Sequence, residues 1–549
     1  MLVHRIMYPP IPQLFLAGLT GLTLHWTYFV NGEHDLYAAN IARFHVIFSV
    51  AIVYIKYQYE GPSIGYAIQS TGLLFGVYAT ALLTSIAVCR LFVSPLRRIP
   101  GPLGMRTSKL VHVWKTMDTK IQNCKMLDEL RKKHGDIVRT GPNEVTLFGY
   151  EAYSKVHGPE SKCGRAAYYD MFHPMVSLVT TRDPEIHAYR RKLWDQAFSI
   201  KALEQKENIV YEFADKLLER LRLHAGTEVN IRDFIEYYTF DLTGFLHANI
   251  KFNCLEQQEH PILAIWHIAH TKLGPLNAAP WIKHLLMGLP FVERLKYYRQ
   301  FMTWTEEELG QNIQNNTEDH YNLFDYVISD ARDHGGVKKN WNFILGDFLV
   351  AIAAGSDPVR QVLTNMVYYL IQHPKHIALI RRELCSIDIR NYRDLQRLQH
   401  LNSCIYETLR INPVVPSAGL RTAPEGGITI NETQIPEGTT LVTPQYSLHR
   451  DGTCFVRPDE WIPERFTTKP ELVLNKSAFV AWSIGKMSCL GKNLSLLETR
   501  VAVALLVNEF DMELSSDEDG SRMFTEMTDY FTTSPGPLRI VLKSRKTES

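Results

Sequence analysis

The sequence predicts a mainly α fold with small β-sheets (α+β), preceded by N-terminal transmembrane helices. Three observations carry that expectation. Three apolar blocks, residues 11–30, 41–57 and 64–88, fill most of the first hundred or so positions. Helical hydrophobic spacing then recurs, most clearly over residues 118–134, 341–373 and from Leu494 onward. Short β-prone runs flank turn residues at 137–147, about Gly141-Pro142-Asn143, and at 427–430 and 440–443, with a turn at Asn431-Glu432-Thr433.

The 549 residues carry a formal net charge of +1 and are 45% hydrophobic, a balance that points neither to a nucleic-acid binder nor to a disordered chain. Eight cysteines (Cys89, Cys124, Cys163, Cys254, Cys385, Cys404, Cys454 and Cys489) are scattered without a Cys-x-x-Cys pair. That spacing argues against zinc modules and a disulfide framework, and for a reducing compartment. The expected division is a membrane anchor of one to three spans over 1–99 and one large catalytic domain over 100–549.

Each apolar block is close to the ~20 residues that a bilayer span requires. The third is the strongest, since residues 65–88 hold no charged side chain and are followed by Arg90, Arg97 and Arg98. The first contains His25 and the second Arg43 and Lys56, so an interfacial or re-entrant placement stays open for both. No short apolar core with a small-residue cleavage site is evident, which favours an uncleaved anchor. Basic residues after the third block favour a cytosolic catalytic domain. Pro100-Gly101-Pro102 then interrupts any helix.

The chemistry is expected at Cys489, in the stretch Trp482-Ser483-Ile484-Gly485-Lys486-Met487-Ser488-Cys489-Leu490-Gly491, which runs into a helix-periodic segment. Gly485 and Gly491 permit a tight backbone. A cysteine at a helix start is placed to be held as thiolate by the helix dipole and backbone N–H groups. Such a sulfur suits axial ligation of haem iron, where thiolate favours O–O cleavage; a lone cysteine is otherwise an inert buried thiol.

The loop resembles the haem-binding loop of the cytochrome P-450 superfamily, Phe-x-x-Gly-x-Arg-x-Cys-x-Gly. Trp482 takes the Phe place, Gly485, Cys489 and Gly491 match, and Met487 stands where the family usually has Arg. The resemblance extends from about Pro100 to the C-terminus. It implies haem b with Cys489 as axial ligand to the iron, and propionate contacts from Arg191 and Arg421. His187 takes the place of the family's Trp in Trp-x-x-x-Arg. Arg421 is placed to make up for Met487. Glu407 and Arg410 supply Glu-x-x-Arg, and Arg465 lies in Pro463-Glu464-Arg465-Phe466. The implied role of these three is a buried structural network behind Cys489.

On the distal helix the family's Ala-Gly-x-Asp/Glu-Thr reads Ala354-Gly355-Ser356-Asp357-Pro358. Small Ala354 and Gly355 are expected to let the helix pass close to a flat cofactor. Proline cannot relay a proton, so delivery falls to Ser356, Asp357, ordered water or a substrate hydroxyl. Tyr168, Tyr169, Met171, Phe172 and Met175, with Val414, Val415 and Ala418 and the 529–535 loop, are placed by the resemblance about a substrate cavity. Residues 204–312, broken at Pro261, Pro275, Pro280 and Pro290, are placed as its lid.

Val138-Arg139-Thr140-Gly141-Pro142-Asn143-Glu144 and Gly491-Lys492-Asn493 resemble fungal microsomal members of secondary metabolism. The implied activity is monooxygenation of a small apolar substrate with O2. Electrons would come from NADPH through NADPH-cytochrome P-450 reductase, with cytochrome b5 as a second donor, at the endoplasmic reticulum membrane. Lys486, Lys492 and Arg190 are the expected docking cations. Alternatives are a haem-thiolate isomerase or dehydratase needing no O2, and a non-catalytic haem or sterol-binding membrane protein.

Overall fold

Apolar composition makes the helices that open the chain. In the computed structural model, which describes residues 9–60, 63–118, 122–257, 260–289, 292–315, 322–417 and 419–545, they are Ile11–Leu24, Ala38–Tyr59 and Ile64–Val88. The expectations at residues 119–121, Pro290 and Ala418 lie outside the described residues. Phe15, Phe48, Ile68 and Leu83 face outward, the distribution that suits a lipid-facing bundle. Close packing of the first helix on the third needs Gly21, where a Cβ would stand 2.5 Å from the Tyr78 carbonyl oxygen.

Among the described residues, three helices are long and apolar enough to cross a membrane: Asp35–Tyr59, Ile64–Val93 and Trp341–Gln372. The last is 50% buried in protein and serves as a core helix. Ile11–Leu24 has only 14 residues before a π-helical turn, His25–Phe29, so the first apolar block is the shortest of the three as α-helix. The N-terminal helical segment docks on the remainder of the chain. Arg182 bridges Glu33 and Asp170, each at 2.6 Å, and Arg43 Nη2 donates to the Gly288 carbonyl at 2.8 Å.

The rest is helix-dominated around one large apolar core, through which Trp341–Gln372 passes against Ile231–Ala248 and Lys492–Glu509. The helical spacing at 118–134 resolves into two helices, Lys109–Asp118 and Asn123–His134. A five-stranded sheet runs Ile137–Gly141, Glu144–Leu147, Thr440–Val442, Arg421–Thr422, Gly164–Arg165, with the second and third strands parallel. Ile428–Ile430 pairs with Thr433–Ile435 as a separate hairpin about the Asn431-Glu432 turn, both residues at positive φ. A third sheet, Glu228–Asn230 with Arg539–Ser544 and Phe510–Leu514, ties the C-terminus to the middle of the chain. Its strand Glu228–Asn230 lies some three hundred residues from the other two, so local sequence carries no sign of that pairing.

Candidate active site

The cysteine loop is built by one glycine and anchored by backbone bonds. Gly485 takes φ +73°, and a Cβ there would meet the His157 carbonyl oxygen at 2.3 Å. Gly491 is less constrained, with φ −79° and only Phe198, at 3.9 Å, near a would-be Cβ. The Cys489 N–H donates to the Trp482 carbonyl at 2.8 Å, and the helix Lys492–Glu509 starts directly after Gly491. Trp482 packs edge-on against Tyr406 and Phe479, with Lys492 Nζ 5.1 Å above its ring.

Burial, not the helix start, sets the free thiol. Desolvation raises the Cys489 pKa, against the Gly491 N–H, Arg191 and Lys492, which all lower it. The backbone N–H groups at the helix start act in the expected direction, but burial outweighs them in the free thiol, and a bound cation would add to them in keeping this sulfur deprotonated. Yet Cys489 is solvent-accessible. A side chain that solvent reaches and that is nonetheless desolvated lies in a recess and not on an open face. Ala354, midway along the helix Trp341–Gln372 and between buried Ile352 and Ser356, is also exposed.

Behind the loop, Glu407, Arg410 and Arg465 are wholly buried. Glu407 Oε2 lies 2.8 Å from Arg410 Nε, and Glu407 Oε1 2.9 Å from Arg465 Nε. One carboxylate cannot neutralise two guanidiniums. The excess charge is met by carbonyls: Arg410 donates to those of His449, Pro458 and Glu460, and Arg465 to those of Val456, Arg457, Glu460 and Leu472. His449 continues the chain of bonds. Its Nδ1 meets the Arg410 carbonyl at 3.0 Å and its Nε2 accepts from the Val480 N–H at 3.1 Å. Ser483 N–H returns to the Val480 carbonyl, joining this network to the cysteine loop.

A second cluster is cationic. Arg165 and Arg421 are cross-strand partners, both buried, and neither pairs with a carboxylate among the described residues. Burial lowers the Arg165 pKa to about 10, with Arg421 contributing. His187 is held down to about 4 by burial, then by Arg165, Arg191 and Arg421. His157 is lowered well below its ordinary value by burial and Arg421; its Nε2 meets Thr443 Oγ1 at 2.7 Å, while its Nδ1 is buried without a partner. Arg191 Nη1 donates to the Ser488 carbonyl at 2.8 Å and its Nε to Asp195. An excess of buried positive charge with an orphaned ring nitrogen fits a dianionic group such as the two propionates of haem.

The distal helix differs from expectation in three respects. Gly355 makes room for a helix and not for a cofactor: a Cβ would meet Thr243 Cγ2 at 2.6 Å. Ser356 Oγ is committed to the Ile352 carbonyl at 2.9 Å. Asp357 pairs with Arg360 at 3.2 Å, Arg360 pairs in turn with Glu236, and Glu236 Oε1 lies 2.8 Å from His267 Nε2, whose side chain is 39% exposed. Burial lifts the Asp357 carboxyl to about 6. Pro358 sits inside the helix without an N–H, so the carbonyl of Ala354 lacks its helical donor.

Arg190, expected among the docking cations, is instead buried. It pairs with Asp347, which also accepts from Trp194 Nε1 at 3.0 Å. Lys486 and Lys492 are exposed. In the segment 163–184, Tyr168 stacks on Phe531 of the C-terminal loop, with centroids 5.8 Å apart, and Tyr169, Met171 and Met175 are buried. Sequence reasoning missed His157, Arg165, His449 and the Glu236–Arg360 pair. Each acquires its role through contacts distant in sequence, and the Cys163-Gly164-Arg165 run carries no motif.

A family model described as Cytochrome P450 matches residues 103–542. The chain is 31% identical over 536 residues to the cytochrome P450 monooxygenase notG' of Aspergillus versicolor, covering 96% of this chain and 97% of that protein. It is 30% identical over 556 residues to tryprostatin B 6-hydroxylase of Aspergillus fumigatus, covering 98% of each. Retinoic acid bound cyanobacterial CYP120A1 shares the fold with a TM-score of 0.65 at 20% identity, over 76% of this chain and 94% of that one. Full-length similarity of this order, joined to a glycine-flanked cysteine loop tied to a charged network behind it and to Arg191, shows that the chain belongs to the cytochrome P450 family of monooxygenases.

Proposed function

We propose that this monooxygenase inserts one oxygen atom from O2 into a small apolar substrate of fungal secondary metabolism, a terpenoid, polyketide or alkaloid. The observation that carries the reading is Cys489, accessible yet desolvated, on a loop that Arg191 holds through the Ser488 carbonyl, together with buried Arg165 and Arg421, which pair with no carboxylate among the described residues. Haem, when bound, supplies the activation of O2. Cys489 would hold its iron, and the arginines with His157 and His187 would hold its propionates.

The remaining work belongs to side chains. Asp357, with a carboxyl lifted to about 6, exchanges a proton near neutral pH, and Arg360, Glu236 and His267 link it to the surface. The Ala354 carbonyl, which Pro358 cannot reach with an N–H, gives a water a place to bind at the break. Tyr168 and Phe531 present aromatic faces that favour a flat or cyclic substrate.

Residues 1–99 serve as the anchor and 100–549 as the catalytic domain, on the cytosolic side of the endoplasmic reticulum membrane. Electrons reach the site from NADPH-cytochrome P-450 reductase, with cytochrome b5 as a second donor, and Lys486 and Lys492 form the docking cations. Co-expression with a reductase and a panel of terpenoid, polyketide and indole-alkaloid substrates tests the proposal. Product carrying one atom of 18O from 18O2 is the expected result. Turnover without O2 would instead establish an isomerase or dehydratase.

A further inference from the structure

We propose that His376, His400 and Cys404 form a site for one divalent transition-metal ion of the zinc class, separate from the haem site. His376 lies in the first turn of the helix Pro374–Leu384, and His400 and Cys404 lie four apart on one face of the helix Gln399–Ile411. Their donor atoms all fall within 4.8 Å of one another. His376 Nδ1 and His400 Nε2 are 2.9 Å apart, with ring planes 5° from parallel.

Two imidazoles and a thiolate are the donors that zinc prefers in tetrahedral sites, with bonds of about 2.0–2.1 Å to nitrogen and 2.3 Å to sulfur. Those bond lengths place the donors about 3.3–3.6 Å apart. The histidine pair needs to open by only tenths of an ångström. A proton shared between the two rings accounts for their contact, but not for a thiol brought to the same place.

His376 and Cys404 are buried, while His400 is only half-buried and leaves an approach from solvent. Glu464, whose side chain is 19% exposed, acts electrostatically on all three residues and pairs otherwise only with Lys375 at 3.4 Å among the described ion pairs. Its carboxylate or a water completes the coordination. The ion would clasp the helices Pro374–Leu384 and Gln399–Ile411 to the turn Pro463–Phe466, one turn away from Glu407 and next to Arg465. Its effect is to stabilise the scaffold of the cysteine loop, because it binds the folded chain only.

The test uses the full-length, haem-loaded chain in detergent, stripped with a chelator and dialysed against Zn2+. Elemental analysis is expected to find one zinc per chain, and absorption at the zinc edge a shell with one sulfur at about 2.3 Å. His400→Gln and Cys404→Ser are each expected to weaken binding by about a hundredfold, with the reduced-CO spectrum of the haem unchanged. Failure to bind zinc, a shell without sulfur, or equal zinc in Cys404→Ser, meaning an adventitious ion only, would each overturn the site. Should both variants fail to load haem, the sulfur shell of the unaltered chain decides.

Discussion

Arg165 and Arg421 stand opposite each other as antiparallel cross-strand partners, two buried guanidiniums on neighbouring strands. Like charges in that register repel; carbonyls of Thr181 and Leu420 offset part of the cost, and a bound anion would offset the rest. Arg165→Gln and Arg421→Gln are therefore expected to fold and yet retain haem poorly. A charge-assisted hydrogen bond of about 1.5–3 kcal/mol corresponds to roughly ten- to hundredfold weaker retention. The ratio of haem to protein absorbance after gel filtration measures it. Undiminished haem in the double variant would remove the propionate role.

Glu407 offsets two arginines, all three wholly buried. Glu407→Gln leaves both guanidiniums without a counter-charge and is expected to cost about 3–5 kcal/mol. The chain should then accumulate without haem, or unfold at a markedly lower temperature. Arg465→Lys should not rescue Arg465→Ala, because an ammonium lacks the forked donors that reach Glu407 and four carbonyls.

Burial lifts the Asp357 carboxyl to about 6, so it is protonated below that pH and ionised above it. A limb near pH 6 is expected in the rate profile of the intact enzyme and should vanish in Asp357→Asn, with turnover falling by about a hundredfold. Pro358→Thr restores a helical N–H and supplies a hydroxyl. It is expected to raise product formed per NADPH and to lower peroxide release.

The motifs about Cys489, Glu407 and Arg465 were legible because each is a short string whose residue types are dictated by contacts within a few positions or by one specific partner. The helices announced themselves by apolar spacing for the same local reason. What was not legible depended on register and on crowding. Arg165 becomes a neighbour of Arg421 only through a sheet whose strands lie more than two hundred residues apart in the chain. Arg190 and Arg191 are adjacent in sequence, but helix geometry turns one into the core against Asp347 and the other toward Ser488. Gly355 read as clearance for a cofactor, whereas Thr243 on a neighbouring helix is what needs the space.

Glu498 gives a stability test independent of activity. Buried on the helix that follows the cysteine loop, with Oε2 unpartnered, its carboxyl is raised by burial from 4.5 to about 8. A carboxyl whose folded pKa is raised contributes stability below the unfolded pKa and loses it as pH climbs to the folded value. Unfolding free energy should accordingly fall by about 1.4 kcal/mol per pH unit between the two values. Glu498→Gln is expected to flatten that slope and to melt higher than the parent at pH 8; parallel pH profiles for the two proteins would refute the assignment.

The most direct measurement is the absorption spectrum of the reduced, CO-bound protein, taken for the intact chain and for Cys489→Ser. A thiolate-type Soret band in the first and its loss in the second are the expected pair of results. A purified chain without porphyrin, or one whose spectrum is the same with serine at 489, would contradict Cys489 as the ligand to iron.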